Sequence, residues 1–174
     1  MKNSILILVL LLVTACGTSV VVADYDKEVD FTQYTSYNYF PNIESGLNEL
    51  DDKRIMYALD SLLQQRGFEK NEAPQLYINF FANEYLSNSR NTIGIGLGSG
   101  GGNVGVGVSG GIPIGGKVIN QTLTVDFIDT SNDALVWQAV AEGELKEKAT
   151  PTQKEAYFIS VIEKVLKKYP PKQK

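Results

Sequence analysis

The residues able to do chemistry in this chain are few. It has one cysteine, Cys16, and no histidine in 174 residues. Thiolate and imidazole make up the familiar nucleophile–base pairs and most zinc and copper sites. Cys–His and Ser–His–Asp catalysis are therefore excluded, and carboxylates, lysine, tyrosine or Ser–Lys pairs remain. The acidic candidates are Asp24 with Asp26, and Asp126 with Asp129 and Asp133. Neither run has the loop spacing of an EF-hand, and aspartate is a common residue of turns and strand ends. No metal site and no cofactor is expected. A carboxylate pair acting on glycan or lipid is the one catalytic class left open.

Two glycine motifs are declined. Gly96-Leu97-Gly98-Ser99-Gly100-Gly101 fits G-x-G-x-x-G, but no helix follows to receive a pyrophosphate. Gly111-Ile112-Pro113-Ile114-Gly115-Gly116-Lys117 opens like a P-loop, yet Val118 stands where Ser or Thr should hold magnesium.

Cys16 has a more telling setting. Lys2 precedes an unbroken apolar run from Ile5 to Val13, then Thr14 and Ala15 lead into the cysteine. This is a secretory leader over residues 1–15, too short for the roughly 20 residues a bilayer span needs. Val13-Thr14-Ala15-Cys16 resembles a bacterial lipobox. The resemblance implies cleavage before Cys16, a diacylglycerol thioether on its sulfur, and an acyl chain such as palmitate on its new amino group. One acyl chain holds a protein only marginally; three hold it essentially permanently. Residues 16–18 are then a lipidated tether. Gly17 is not the aspartate that commonly retains lipoproteins in the inner membrane, so the resemblance implies the outer membrane, facing the periplasm, with a surface-exposed location as the alternative. No nucleotide pool exists there. The net charge of −4 for the whole chain also speaks against a nucleic-acid partner.

The elements that must position any site read as follows. Residues 19–26 begin with Val20-Val21-Val22 and predict a first strand. Alternating aromatics over 35–40 predict a second. Ile55, Leu59, Leu62 and Leu63 recur at helical spacing over 48–66, with Gly67 placed to cap the end and Phe68 to fold back. In residues 75–85, Leu76, Ile78 and Phe80 point one way and Tyr77, Asn79 and Phe81 the other. Residues 118–129 and 134–146 read as a long hairpin with Leu135, Trp137 and Ala139 on one face. Thr150-Pro151-Thr152-Gln153 is a capping box with proline at the first helical position, opening a helix over 151–168. Lys167, Lys168, Lys172 and Lys174 give a basic end, read as a solvated helix terminus. Contact with anionic lipid or lipopolysaccharide is its other reading.

Residues 94–116 hold twelve of the sixteen glycines. Ile93, Ile95 and Leu97, then Val104, Val106 and Val108, alternate with them. Period two places aliphatics on one face of a projecting hairpin; a loop without fixed structure is the competing reading. Tyr25, Tyr37, Tyr39, Tyr77 and Tyr85 are candidates to line an open sheet face as a binding surface. Trp137 reads as core.

Together these segments resemble a family of Gram-negative envelope lipoproteins known by a domain of unknown function, number four-one-three-six. The resemblance rests on V-V-A-D-Y-D at 21–26, D-F-T-Q-Y-T-S-Y at 30–37, L-L-Q-Q-R-G-F at 62–68 and L-Y-I-N-F at 76–80. It continues in T-L-T-V-D-F-I-D at 122–129, L-V-W-Q-A-V-A-E-G at 135–143 and the closing K-K-Y-P. It departs at Tyr39 and Phe40, where a tryptophan is the family's pattern. It implies a small lipoprotein and offers no catalytic residue to carry over.

The predicted fold is one α+β domain over residues 19–170, with 171–174 as tail. A mainly antiparallel mixed sheet of about five strands is packed on one face by two helices, with the Gly-rich segment inserted. The predicted role is non-enzymatic: a lipid-anchored binding or accessory protein whose partners are the membrane and another envelope protein. The alternatives are a carboxylate hydrolase and a carrier of a small apolar ligand.

Overall fold

The computed structural model describes residues 19–88, 92–93, 112–113 and 116–172. The described residues form eight strands and two α-helices. They are β1 (Val20–Tyr25), β2 (Ser36–Tyr39), α1 (Glu49–Gln64), β3 (Glu69–Lys70), β4 (Leu76–Asn88), β5 (Thr92–Ile93), β6 (Ile112–Pro113), β7 (Lys117–Asp129), β8 (Ala134–Lys146) and α2 (Pro151–Leu166). The architecture is α+β. One six-stranded sheet runs β1-β8-β7-β4-β2-β3, and β5 pairs with β6 separately. β2 lies parallel to β3 and β4, and the remaining pairings are antiparallel. The sheet has one strand more than expected. β3 is only two residues long, too short to carry an alternation that sequence could reveal.

Local signals set the helix ends. Asn48 caps α1 by accepting from the Leu50 and Asp51 amides, each at 3.1 Å. The α1 exit turns at Gly67, with φ of 86°, and the Phe68 amide returns to the Leu63 carbonyl at 3.1 Å. At α2, Thr150 Oγ1 accepts from the Gln153 amide at 3.3 Å, while Gln153 Oε1 accepts from the Thr150 amide at 2.9 Å. This reciprocal cap satisfies two helix-end donors that would otherwise face only water.

The helices cover one face of the sheet. Leu76, Ile78 and Phe80 of β4, Leu123, Val125 and Phe127 of β7, and Trp137, Ala139 and Ala141 of β8 are buried beneath them. Ile55, Leu59 and Leu63 of α1 and Phe158, Ile162 and Val165 of α2 supply the helical side. Tyr169, just past α2, packs its ring against Phe127 at 4.8 Å, Trp137 at 5.4 Å, Phe31 at 5.8 Å and Phe68 at 6.0 Å. Arg66 clamps the same end, donating from Nη1 to the carbonyls of Leu166 at 2.6 Å and Tyr169 at 2.9 Å. Between the helices Asp51 is buried and accepts from Lys154 at 2.7 Å, Arg54 at 2.6 Å and Asn48 at 2.6 Å.

One strand departs from simple alternation. Phe127 pairs with Trp137 but Ile128 pairs with Leu135, so Val136 is an extra residue in β8. Val136 and Trp137 are consequently both buried, and Leu135 is turned to the exposed side. The sequence had grouped Leu135 with Trp137 and Ala139; the bulge separates them.

Candidate functional site: the uncovered sheet face

Residues directly opposite each other on paired strands share a face, so the registers define the side of the sheet away from the helices. Four cross-strand rows follow. Tyr77, Ile128 and Leu135 form the first. Asn79, Asp126, Gln138 and Asp24 form a polar second. Phe81, Thr124, Val140 and Val22 form an apolar third, and Asn83, Thr122, Glu142 and Val20 a mixed fourth. Tyr85, Asn120 and Glu144 continue beyond the end of β1.

Among the described residues no helix lies over this face, and Val22 is 67% and Val20 63% exposed. Phe81, Leu135 and Phe40 are exposed as well, and Phe40 meets the Tyr77 ring edge-on at 6.0 Å. In the middle Asp126 is nearly enclosed by its neighbours, and Gln138 Nε2 donates to its Oδ1 at 2.8 Å. The sequence reading of Asp126 as one of a carboxylate set gave no hint of this pairing, because Gln138 reaches it only through the β7–β8 register.

The tyrosines divide between the two faces. Tyr77 and Tyr85 stand on the open face as expected, Tyr85 at 61% exposure. Tyr37 and Tyr39 do not. β2 pairs Tyr37 with Leu76 and Tyr39 with Ile78, which turns both rings into the core beside α1. Tyr37 donates to Asp60 Oδ1 at 2.8 Å, and the Tyr39 hydroxyl lies 2.8 Å from both Asp60 Oδ1 and the Met56 carbonyl. Lys70 completes the cluster, 3.1 Å from Asp60 Oδ2 and 4.5 Å above the Tyr39 ring. Burial, then the adjoining Asp60 carboxylate, pushes both phenols far above their ordinary range. They are neutral donors that tie β2 to α1, not a binding surface. Tyr25 also turns coreward, opposite Trp137 and edge-on to Phe31 at 6.1 Å.

The acidic candidates hold local structure. Asp24 accepts from the Tyr25 amide and Asp26 from the Glu28 amide, each at 2.9 Å. Asp129 accepts from the Tyr34 hydroxyl at 2.6 Å and the Ser131 amide at 2.7 Å. Burial pushes its carboxyl up, but the Tyr34 and Ser131 hydrogen bonds outweigh that and hold it below the usual range. Asp133 sits at φ of 55° in the β7–β8 turn. Among the described residues no group of three or more acidic, histidine or cysteine side chains could hold a metal.

Two open depressions mark the exposed surface. One, of about 260 Å³, is lined by Asp24, Asp26, Leu135, Val136, Trp137 and Gln138. The other, of about 240 Å³, lies at the far end of β4 against Leu86, Ser87, Asn88 and Lys117. Cys16, Ile95, Leu97, Val104, Val106 and Val108 lie outside the described residues. Ile93 is described only as a backbone position of β5, paired with Ile112.

A family described as a domain of unknown function, DUF4136, matches residues 21–171, from β1 to just past α2. The chain belongs to the DUF4136 family. The matched span contains every strand of the open face except the first residue of β1, Val20; Cys16 precedes it. No curated protein matches the sequence. A PDZ domain protein from Parabacteroides distasonis is similar at 13% identity with a TM-score of 0.51. The alignment covers 99% of this chain and 41% of that one, so the chain spans less than half of that protein's length, and the likeness is one of fold alone. A PelC dodecamer structure from Paraburkholderia phytofirmans aligns at 16% identity and a TM-score of 0.42, covering 86% of this chain and 95% of that one.

Proposed function

We propose that this DUF4136 protein is a non-enzymatic lipoprotein, anchored through Cys16 to the periplasmic side of the outer membrane, that binds another envelope protein. The observation that carries the binding role is the uncovered sheet face, with its row of exposed Phe81, half-buried Val140 and exposed Val22 ending at the edge strand β1. Among the described residues Val20–Tyr25 has a neighbour on one side only, and Val20-Val21-Val22 carries no charge, proline or bulge to discourage a further strand. A partner adding a strand there gains main-chain hydrogen bonds from the edge and side-chain pockets from the adjoining face. The Gly-rich segment within residues 94–116 is the second candidate contact.

A protein partner suits this surface better than a small ligand. The larger depression falls short of the roughly 300 Å³ from which small-molecule pockets begin. Of the acidic candidates, Asp24, Asp26 and Asp129 are engaged by nearby backbone amides and Asp126 by Gln138.

The test is crosslinking and pull-down from the membrane fraction with the wild-type chain, Val22→Lys and a deletion of 94–116. The expected result is a partner lost on Val22→Lys. A partner lost only on the deletion moves the contact to the Gly-rich segment. A partner set unchanged in both variants refutes binding by either element. Cys16→Ser should release the protein from membranes, and mass spectrometry should find acyl groups on the wild-type Cys16.

A further inference from the structure

We infer that the overhanging end of the β4–β7–β8 ribbon rests on the bilayer interface, giving the anchored domain a second membrane contact and a fixed orientation. The inference rests on the lipid anchor proposed above.

The argument starts from the registers. β1 begins at Val20, opposite Glu142, which faces Thr122, which faces Asn83. β4 does not stop at that level. It runs five residues further to Asn88, paired throughout with β7 back to Lys117, and β8 accompanies them to Lys146. At about 3.4 Å per residue the ribbon overhangs the start of β1 by about 17 Å. The chain enters β1 from this same side, because β1 runs antiparallel to β8.

The tether is shorter than the overhang. Cys16 stands four residues before Val20, a reach of at most about 14 Å even when fully extended. Ser19 is already held to α2, accepting from Lys164 Nζ at 2.9 Å. A bilayer carrying the Cys16 lipid on the strand-entry side must therefore meet the ribbon end, where residues 89–116 join β4 to β7, before it meets the start of β1.

The end is chemically suited to that contact. Tyr85 is 61% and Leu86 57% exposed, and they occupy opposite faces of β4. A phenol on a strand with an adjacent aliphatic suits the headgroup–acyl boundary, where tyrosine is enriched. Lys117, Lys146 and Lys148 lie at or just past the strand ends there and are matched in number by Glu84, Glu144 and Glu147. The contact thus draws on interfacial burial rather than on anionic lipid.

The experiment uses the lipidated protein in phosphatidylcholine vesicles. Because Cys16 carries lipid, a second cysteine is a unique labelling site. Tyr85→Cys and Leu86→Cys are each labelled with an environment-sensitive fluorophore, with Tyr57→Cys on exposed α1 and Val22→Cys on β1 as comparisons. Acyl-chain spin labels placed near the headgroup should shift and quench the label at 85 and 86 and leave that at 57 unchanged. Two results overturn the inference: vesicle-bound protein with no quenching at 85 and 86, or quenching at 22 alone, which lays the domain on its β1 edge. Protein that does not float with vesicles, with a free thiol at Cys16, overturns the anchor itself and the ribbon contact with it. Quenching at 85 but not 86, or the reverse, supports contact through one face of the ribbon.

Discussion

Replacing Lys154 by methionine isolates the anion buried between the helices. Asp51 Oδ2 accepts from Lys154 Nζ at 2.7 Å, with side-chain exposures of 24% for the lysine and 4% for the aspartate. Methionine keeps most of the aliphatic stem and removes the charge. Truncating the only partner of a buried ion costs about 3–5 kcal/mol. Here Arg54 at 2.6 Å and Asn48 at 2.6 Å stay, so the loss is that of one charge-assisted hydrogen bond, about 2 kcal/mol. At about 2–4 °C per kcal/mol for a chain of this size, Tm should fall by about 4–8 °C. The pH dependence is distinctive. Burial pushes the Asp51 carboxyl up, but Lys154, Asn48 and Arg54 outweigh it and hold the group below the usual carboxylate range. A carboxyl depressed in the folded state contributes stability that is full above its unfolded pKa and is lost as pH falls through the folded one. Lys154→Met raises the folded value, so wild type and variant should differ most at neutral pH and converge once Asp51 is protonated in both. Urea unfolding at neutral pH and again below the carboxylate range measures this. An equal difference at both, or the same cost of Lys154→Met in an Asp51→Asn background, would refute the assignment of the effect to this pair.

Two further perturbations test the packing that holds the open face in shape. A Cβ at Gly143 would meet the Tyr157 hydroxyl at 2.6 Å, so Gly143→Ala should cost about 1–3 kcal/mol in urea unfolding, and adding Tyr157→Phe should recover most of it. The Tyr169 ring packs against four aromatics while its hydroxyl has no hydrogen-bond partner among the described residues. Tyr169→Phe should therefore leave Tm nearly unchanged or raise it, whereas Tyr169→Ala should lose about 3–5 kcal/mol.

Signals confined to a few neighbouring residues could be read from the chain alone. The capping box at Thr150 and Gln153, the left-handed exit at Gly67, and the alternation through Leu76, Ile78 and Phe80 each depend on contacts within about one turn or one pleat. Those signals placed both helices and the long strands, and so gave the α+β class. They also separated Phe81 and Tyr77 from the core side of β4.

Alternation says which residues share a side but not which side is covered. Tyr37 and Tyr39 were grouped with Tyr77, yet the parallel pairing of β2 with β4 sends them under α1, where Asp60 satisfies their hydroxyls. The extra residue at Val136 reverses Leu135 relative to Trp137, and nothing in the local pattern marks it. The partners of Asp51, Asp126 and Arg66 are likewise set by long-range register. Lys154 reaches Asp51 across 103 positions of sequence. The sequence alone determined the elements and the chemistry absent from them, because hydrogen-bonded turns and pleats are local. Tertiary structure decided which face stays open and how far the ribbon overhangs the start of β1, because strand pairing joins residues that no local propensity connects.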